Sequence, residues 1–185
     1  DRFSVCVSTQ IGCAQNCAFC RTAKMGFIRN LEAGEILEEI IRVNWYLEET
    51  GTKHSDGSLA KVTNIIFMGM GEPLNNLEQV HRVCCTLHHQ KLFNLGRKRM
   101  TISTSGVVPK IKELVDRNTP CCLAVSLNST NDERRSAVMP VNKVWNIAKL
   151  LEATDEYTKR TGNYVTFEFV LMKGITCSEE AAKEL

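Results

Sequence analysis

The chain has 185 residues, 43% of them hydrophobic and 24% charged, proportions that suit one globular domain with a sizeable core. A net charge of +2 and a pI of about 8.1 exclude a surface field strong enough to announce a polyanionic partner, and neither require nor exclude nucleic acid. No signal peptide is recognisable and no apolar run approaches the roughly 20 residues of a membrane span, so the chain reads as soluble and cytoplasmic.

The first predicted strand is SVCVSTQ, residues 4–10, and a loop rich in thiols follows it directly. Residues 34–50 place Ile36, Leu37, Ile40, Ile41 and Leu47 on one face and Glu38, Arg42 and Glu49 on the other, as an amphipathic helix does. Residues 50–61 read as a polar surface loop. VTNIIFMG (62–69) is the second strand, and a weaker helix spans Leu77 to Lys91. RMTISTS (99–105) is the third strand; the helix after it, Pro109 to Arg117, opens with proline at a permissible early position. CLAVSLN (122–128) is the fourth strand, residues 144–159 carry a stripe of Ile147, Leu150, Leu151 and Tyr157, and YVTFEFVLM (164–172) is the fifth.

Strands alternating with helices imply right-handed βαβ units and a parallel sheet, either open and doubly wound or curled into a barrel. Strand polarity favours the barrel. Met100 and Ile102 alternate with Thr101, Ser103 and Ser105; Leu123 and Val125 with Cys122, Ala124 and Ser126; Val165, Phe167, Phe169 and Leu171 with Thr166 and Glu168. Strands buried on both faces are near-continuously apolar. Here one face suits a helix layer and the other a wet, ligand-holding interior, the alternative being a sheet with one solvated face.

Four of the nine cysteines fall within residues 5–20. An odd total, with adjacent pairs at Cys84/Cys85 and Cys121/Cys122, does not suit a secreted disulfide scaffold; clustered thiols in a reducing compartment bind metal or do chemistry. Cys13, Cys17 and Cys20 stand as C-x3-C-x2-C. A structural zinc site normally takes four ligands in two pairs, and no second pair follows. A [4Fe–4S] cluster usually takes four thiolates, so three leave one iron open to a small chelating ligand bearing an amine and a carboxylate.

CAQNCAFC, with Phe19 before the last cysteine, resembles the signature of radical S-adenosylmethionine (SAM) enzymes. CVSTQIGC before the cluster loop, MGMGEP (68–73), STSGVVP (103–109) and SLNSTNDERR (126–135), in that order, are similar to the RlmN/Cfr family of radical SAM RNA adenine methyltransferases, from Val5 to the end of the chain. The resemblance implies a partial (βα)6 TIM-like barrel cut after about five βα units. It implies a [4Fe–4S] cluster on Cys13, Cys17 and Cys20, and SAM bound by Gly71, Glu72, Ser103, Ser126, Leu127 and Asn128. Glu72 would accept from the methionine amino group, and a related form often carries His where this chain has Asn128. It further implies methylation of an adenine carbon in 23S rRNA, alone or together with tRNA, at C2, with a C8-specific methyltransferase of the same family as the alternative, and an electron donor such as flavodoxin or ferredoxin to a monomeric enzyme. A cysteine near the C-terminus of such enzymes carries the methyl group, and Cys6 matches the second thiol, which attacks the alkylated sulfur and leaves a disulfide. A lone strand cysteine is otherwise a small packing residue.

Asp1 in place of Met, and a helical pattern still running at Leu185, lead to the expectation that residues 1–185 are an incomplete radical SAM core, without an N-terminal accessory domain and the end of the barrel. A zinc-stabilised RNA-binding module is the alternative of a different class. The other cysteines read as packing residues, although Cys122 faces inward, and His81, His88 and His89 have no metal-ligand partner in view. GRKR (96–99) reads as a solvated turn. Arg21, Lys24 and Arg29 are candidates for RNA phosphate contacts, and Phe27 for core packing or base stacking.

Overall fold

A computed structural model describes residues 1–185. Its main sheet is parallel: β1 (Ser4–Cys6) pairs with β4 (Asn64–Phe67), β4 with β5 (Met100–Thr104), β5 with β6 (Cys122–Ser126) and β6 with β7 (Val165–Glu168). Each strand lies beside its predecessor in this sheet, so the order advances in one direction. A doubly wound sheet reverses its order at a switch point; a barrel does not. The crossings are made by α1 (Ala33–Glu49), α2 (Leu77–His88), α3 (Val108–Asp116), and α4 (Asp132–Val138) with α5 (Ile147–Thr161). α1 packs on α2, α2 on α3 and α3 on α5, as a single layer. β1 and β7 remain edges, so this is a barrel wall that does not close.

The period-two pattern sorts the side chains as the sequence requires. Ile65, Phe67, Ile102, Leu123 and Val125 turn to the helices and are buried with Ile36, Ile40, Val80, Leu114 and Leu150. The concave face follows from the register: Cys6, Ile66, Thr101 and Cys122 form one cross-strand row, Ser103, Ala124 and Thr166 another, and Ser126 stands beside Glu168. Apart from Ile66 these residues are small or polar, which gives the sheet its predicted wet side.

The helix ends carry local signals. Asn131 Oδ1 accepts from Arg134 N–H at the start of α4, and Asn146 Oδ1 from Lys149 N–H at the start of α5. Gly162, at φ +69°, ends α5 in the left-handed region that glycine adopts without strain.

The sequence reading is corrected in three places. Residues 4–10 do not make one strand: β1 stops at Cys6, and Gln10–Gly12 (β2) pairs antiparallel with Phe27–Asn30 (β3) as a separate hairpin. The fifth strand ends at Glu168 rather than 172, and the helices α4 and α6 (Glu179–Glu184) join those expected. Ile102 is fully buried on the central strand, so Ile102→Ala should lower unfolding free energy by about 2–5 kcal/mol. Urea titration should show a lower midpoint at unchanged slope.

Candidate active site

The cysteine loop hangs from the β2–β3 hairpin. Cys13 N–H donates to Gly26 O at 2.9 Å, and a Cβ on Gly12 would lie 1.7 Å from that same oxygen. Only glycine fits there. The loop turns where Cys20 N–H donates to Cys17 O, and Ala18 N–H donates to Val138 O, tying it to the end of α4. Gly71 plays the matching role after β4: at φ +105°, a Cβ would sit 2.6 Å from Gln10 Cβ. The two loops therefore close over the carboxyl ends of β1 and β4.

They enclose an open cavity of about 250 Å³, whose lining includes Cys13, Cys17, Cys20, Gly71, Glu72, Ser103 and Ser126. Seven of the residues expected from the sequence thus meet at the end of the sheet where parallel α/β barrels hold ligands. Leu127 and Asn128 lie just beyond Ser126 but are buried, and the cavity does not reach them. Asn128, at φ +57°, accepts from Val170 N–H through Oδ1 and donates to Met139 Sδ, so its side chain is spent within the protein.

Burial raises the Cys13 thiol above its usual range, and burial with the proximity of Cys13 and Cys20 pushes Cys17 up to about 12. Three thiolates this close repel one another, a cost that a cationic group bound among them removes. Three thiols without a fourth protein ligand do not complete a tetrahedral zinc site, which takes four. Three thiols that face one cavity from a single loop suit a multi-iron cluster, whose cysteine ligands sit at separate corners.

Glu72 is bonded to the protein through both carboxylate oxygens. Its Oε1 accepts from Thr104 Oγ1 (2.7 Å) and Leu74 N–H (3.1 Å), and its Oε2 from Ser105 N–H (2.8 Å) and Ser105 Oγ (2.7 Å). Burial raises this carboxyl while the four donors act in the opposite sense. With four donors on its two oxygens, the carboxylate clamps the β4 loop to the end of β5 while still lining the cavity.

Cys6 is exposed, one side chain among the concave rows, and does not line the cavity. All nine cysteines are free, so the disulfide expected of Cys6 is not formed in this chain. Cys84 and Cys121 are buried, as packing residues should be, whereas Cys85 and Cys177 are exposed. Arg29 is held by Glu35 in a two-bond ion pair, which removes it from the free cations; Arg21 and Lys24 form no ion pair. Phe27 is 48% exposed and is not a core residue. His81 shares a hydrogen bond with Thr119, and residues 97–99 form a turn at the amino end of β5, away from the cavity. Sequence reasoning left Glu168 unassigned, although it lines the cavity and is bonded to both Ser103 and Ser126. Its inward register in the fifth strand was the available signal.

An unclosed parallel barrel wall, with three loop thiols and a glycine–glutamate loop at its carboxyl edge, defines a class of cofactor-dependent α/β enzymes. The chain belongs to the radical SAM superfamily, whose family model matches residues 7–185. It is 43% identical over 185 residues to the dual-specificity RNA methyltransferase RlmN 2 of Myxococcus xanthus, covering 100% of this chain and 48% of that protein. It is 40% identical over 182 residues to the probable dual-specificity RNA methyltransferase RlmN of Bacillus licheniformis, covering 98% of this chain and 48% of that protein. The crystal structure of a radical SAM methyltransferase from Sphaerobacter thermophilus superposes with a TM-score of 0.92 at 42% identity, covering 100% of this chain and 52% of that one. The chain thus spans about half the length of the curated relatives it matches.

The clamp can be separated from a ligand role. Glu72→Gln would turn an amide N–H₂ toward groups that are themselves donors, costing about 1–3 kcal/mol of stability with no cofactor present. Urea denaturation of the cofactor-free chain measures this, and an unchanged midpoint would return Glu72 to a ligand role.

Proposed function

We propose that this chain carries the cofactor-binding core of a radical SAM methyltransferase acting on RNA, with C2 of an adenine in 23S rRNA, and in tRNA, as the methylated carbon. The observation that supports this most directly is the convergence of the C-x3-C-x2-C thiols, the Gly71–Glu72 loop, Ser103 and Ser126 on one cavity at the carboxyl ends of the strands. Relatives named as RNA methyltransferases, at 40–43% identity, support the substrate class.

Cys13, Cys17 and Cys20 would hold a [4Fe–4S] cluster and leave one iron corner for the amine and carboxylate of SAM. When bound, that pair supplies the one-electron chemistry that an unreactive aromatic carbon requires. The chain's own residues shape the place where this happens. Phe19 and Met139 put apolar walls beside the thiols, which limits water there, and Ser103 and Ser126 offer hydroxyls on the opposite side. Cys6, exposed on β1, is available to attack an alkylated sulfur, as a methyl-cysteine route requires of its second thiol. Arg21 and Lys24, beside the cysteine loop, are free cations suited to phosphate contacts. No helix is long and apolar enough to cross a membrane, in keeping with a cytoplasmic RNA-modifying enzyme supplied by a small electron-carrier protein.

Anaerobic reconstitution tests the cluster. The loaded chain should be brown and bind about four irons per molecule with matching labile sulfide. Cys17→Ala should lose most of the iron and the visible absorbance. A colourless chain that takes up zinc instead would support the RNA-binding module without catalysis.

The role of Cys6 is tested in the complete enzyme. Cys6→Ala should stall with protein and RNA covalently joined, visible as a slow band on a denaturing gel that nuclease removes. Unimpaired turnover would reduce Cys6 to a bystander on β1.

A further inference from the structure

The cavity collects acidic groups and no basic ones. Its lining holds no lysine, arginine or histidine, whereas three thiols and the carboxyl groups of Glu72 and Glu168 all face it. Arg21 and Lys24, the cations next to the thiol loop in sequence, are exposed, so water screens them. One cation is not screened. Arg135 on α4 is wholly buried and stands directly behind the cavity wall. Its Nη2 donates to Ser105 O at 2.8 Å and to Ser126 O at 3.1 Å, and both of those residues line the cavity.

The same helix end carries the thiol loop. Ala18 N–H donates to Val138 O, and Cys17 packs against Val138, Met139 and Val141. Met139, which lines the cavity, donates its N–H to Arg135 O at 2.7 Å. Thiol loop and guanidinium are thus anchored to one short stretch, residues 135–141. No contact cancels the charge. The remaining bonds of Arg135 go to Leu127 O and Asn142 Oδ1, which are neutral. Asp132, on the same helix, is exposed and accepts from Asn142 Nδ2 and Ile147 N–H instead. An unpaired charge in a low-dielectric setting acts more strongly on its surroundings than one in water.

We propose that Arg135 raises the reduction potential of the cluster, its buried charge favouring the reduced form. The inference rests on the functional reading above, in which Cys13, Cys17 and Cys20 hold a [4Fe–4S] cluster. In the step concerned the cluster takes one electron, the small electron-carrier protein gives up one, and no bond is made or broken. The cluster becomes more negative by one charge inside a cavity that already carries Glu72 and Glu168. A fixed cation behind the wall offsets that cost. Net charge around a cluster is one of the levers that set its potential. Arg135 touches no lining thiol, so it acts as a positioning residue whose second effect is electrostatic.

The test is a redox titration of the cluster-loaded chain, read by visible absorbance and by the paramagnetic signal of the reduced cluster. Two variants lose the guanidinium fork and differ in charge. In Arg135→Gln the ratio of reduced to oxidised cluster at a fixed poise should fall about tenfold, a potential about 59 mV lower for one electron. In Arg135→Lys the charge stays, and the potential should stay close to that of the unmutated chain. Both variants lose bonds and should melt earlier, so stability does not separate them and the potential does. An unshifted potential in Arg135→Gln, or equal shifts in both variants, would overturn the proposal and leave the functional reading intact. Should both fail to fold, Asn142→Asp decides, because it sets a carboxylate against Arg135 Nη1, where Asn142 Oδ1 accepts at 2.8 Å. That variant should also lower the potential, and an unchanged value overturns the proposal. An unmutated chain that takes up no iron would overturn the functional reading itself, and this inference with it.

Discussion

One continuous polar chain crosses the carboxyl edge of the sheet, and the cavity exists because of it. It starts in the hairpin, where Gln10 Nε2 donates to Asn30 Oδ1, and passes on where Glu72 N–H donates to Gln10 Oε1. Glu72 then accepts from Ser105, whose carbonyl accepts from Arg135 Nη2. Arg135 donates in turn to Ser126 O, Leu127 O and Asn142 Oδ1, and Asn142 donates to Asp132 Oδ1 at the start of α4. Every element that contributes a side chain to the site, β7 excepted, is fastened to this line.

Arg135 is the member on which the line turns. It is wholly buried and makes no ion pair, so burial lowers its guanidinium to about 10, still charged at neutral pH. A buried charge without a carboxylate in contact is costly unless its donors are used. Here they are used on main-chain carbonyls that leave the sheet at the ends of β5 and β6, groups that would themselves be unsatisfied in a buried setting. The same residue therefore resolves two problems of the fold, and a fully connected network in a low-dielectric setting holds the loops rigidly. Rigidity there matters because the thiol loop, bound to α4 through Ala18 and Val138, has little regular structure of its own.

The sequence made the barrel wall readable because its signals are local. Five short strands, three of them with period-two alternation, separated by amphipathic stripes, needed no tertiary information, and the inward set Ser103, Ser126 and Glu168 fell on the face where the structure places it. The hairpin was not readable. Its strands are three and four residues long and lie on either side of the cysteine loop, too short for periodicity and without a tight turn between them. The early end of β7 was hidden for a different reason. Leu127 and Asn128 N–H groups both donate to Glu168 O, and Asn128 Oδ1 takes Val170 N–H, which turns the chain out of the sheet although Phe169 and Leu171 continue the alternation. A side-chain bond from the segment just after β6 accompanies this turn, and no local pattern encodes that.

The site shows the same division between what a motif names and what a contact assigns. GEP attracts attention to Glu72, and a carboxylate beside a cofactor invites a ligand role. The structure spends that carboxylate on the scaffold. Glu168, inside an unremarked apolar run, keeps an oxygen free beside the serines that the motifs do name. How much of each acidic side chain faces the cavity unbonded is thus set by how many protein donors reach it. Two residues control that number here. Ser105, just beyond β5, supplies two of the four donors that close Glu72. Ala124, by being small, lets Glu168 lie across β6 and take the serine protons while one oxygen stays open.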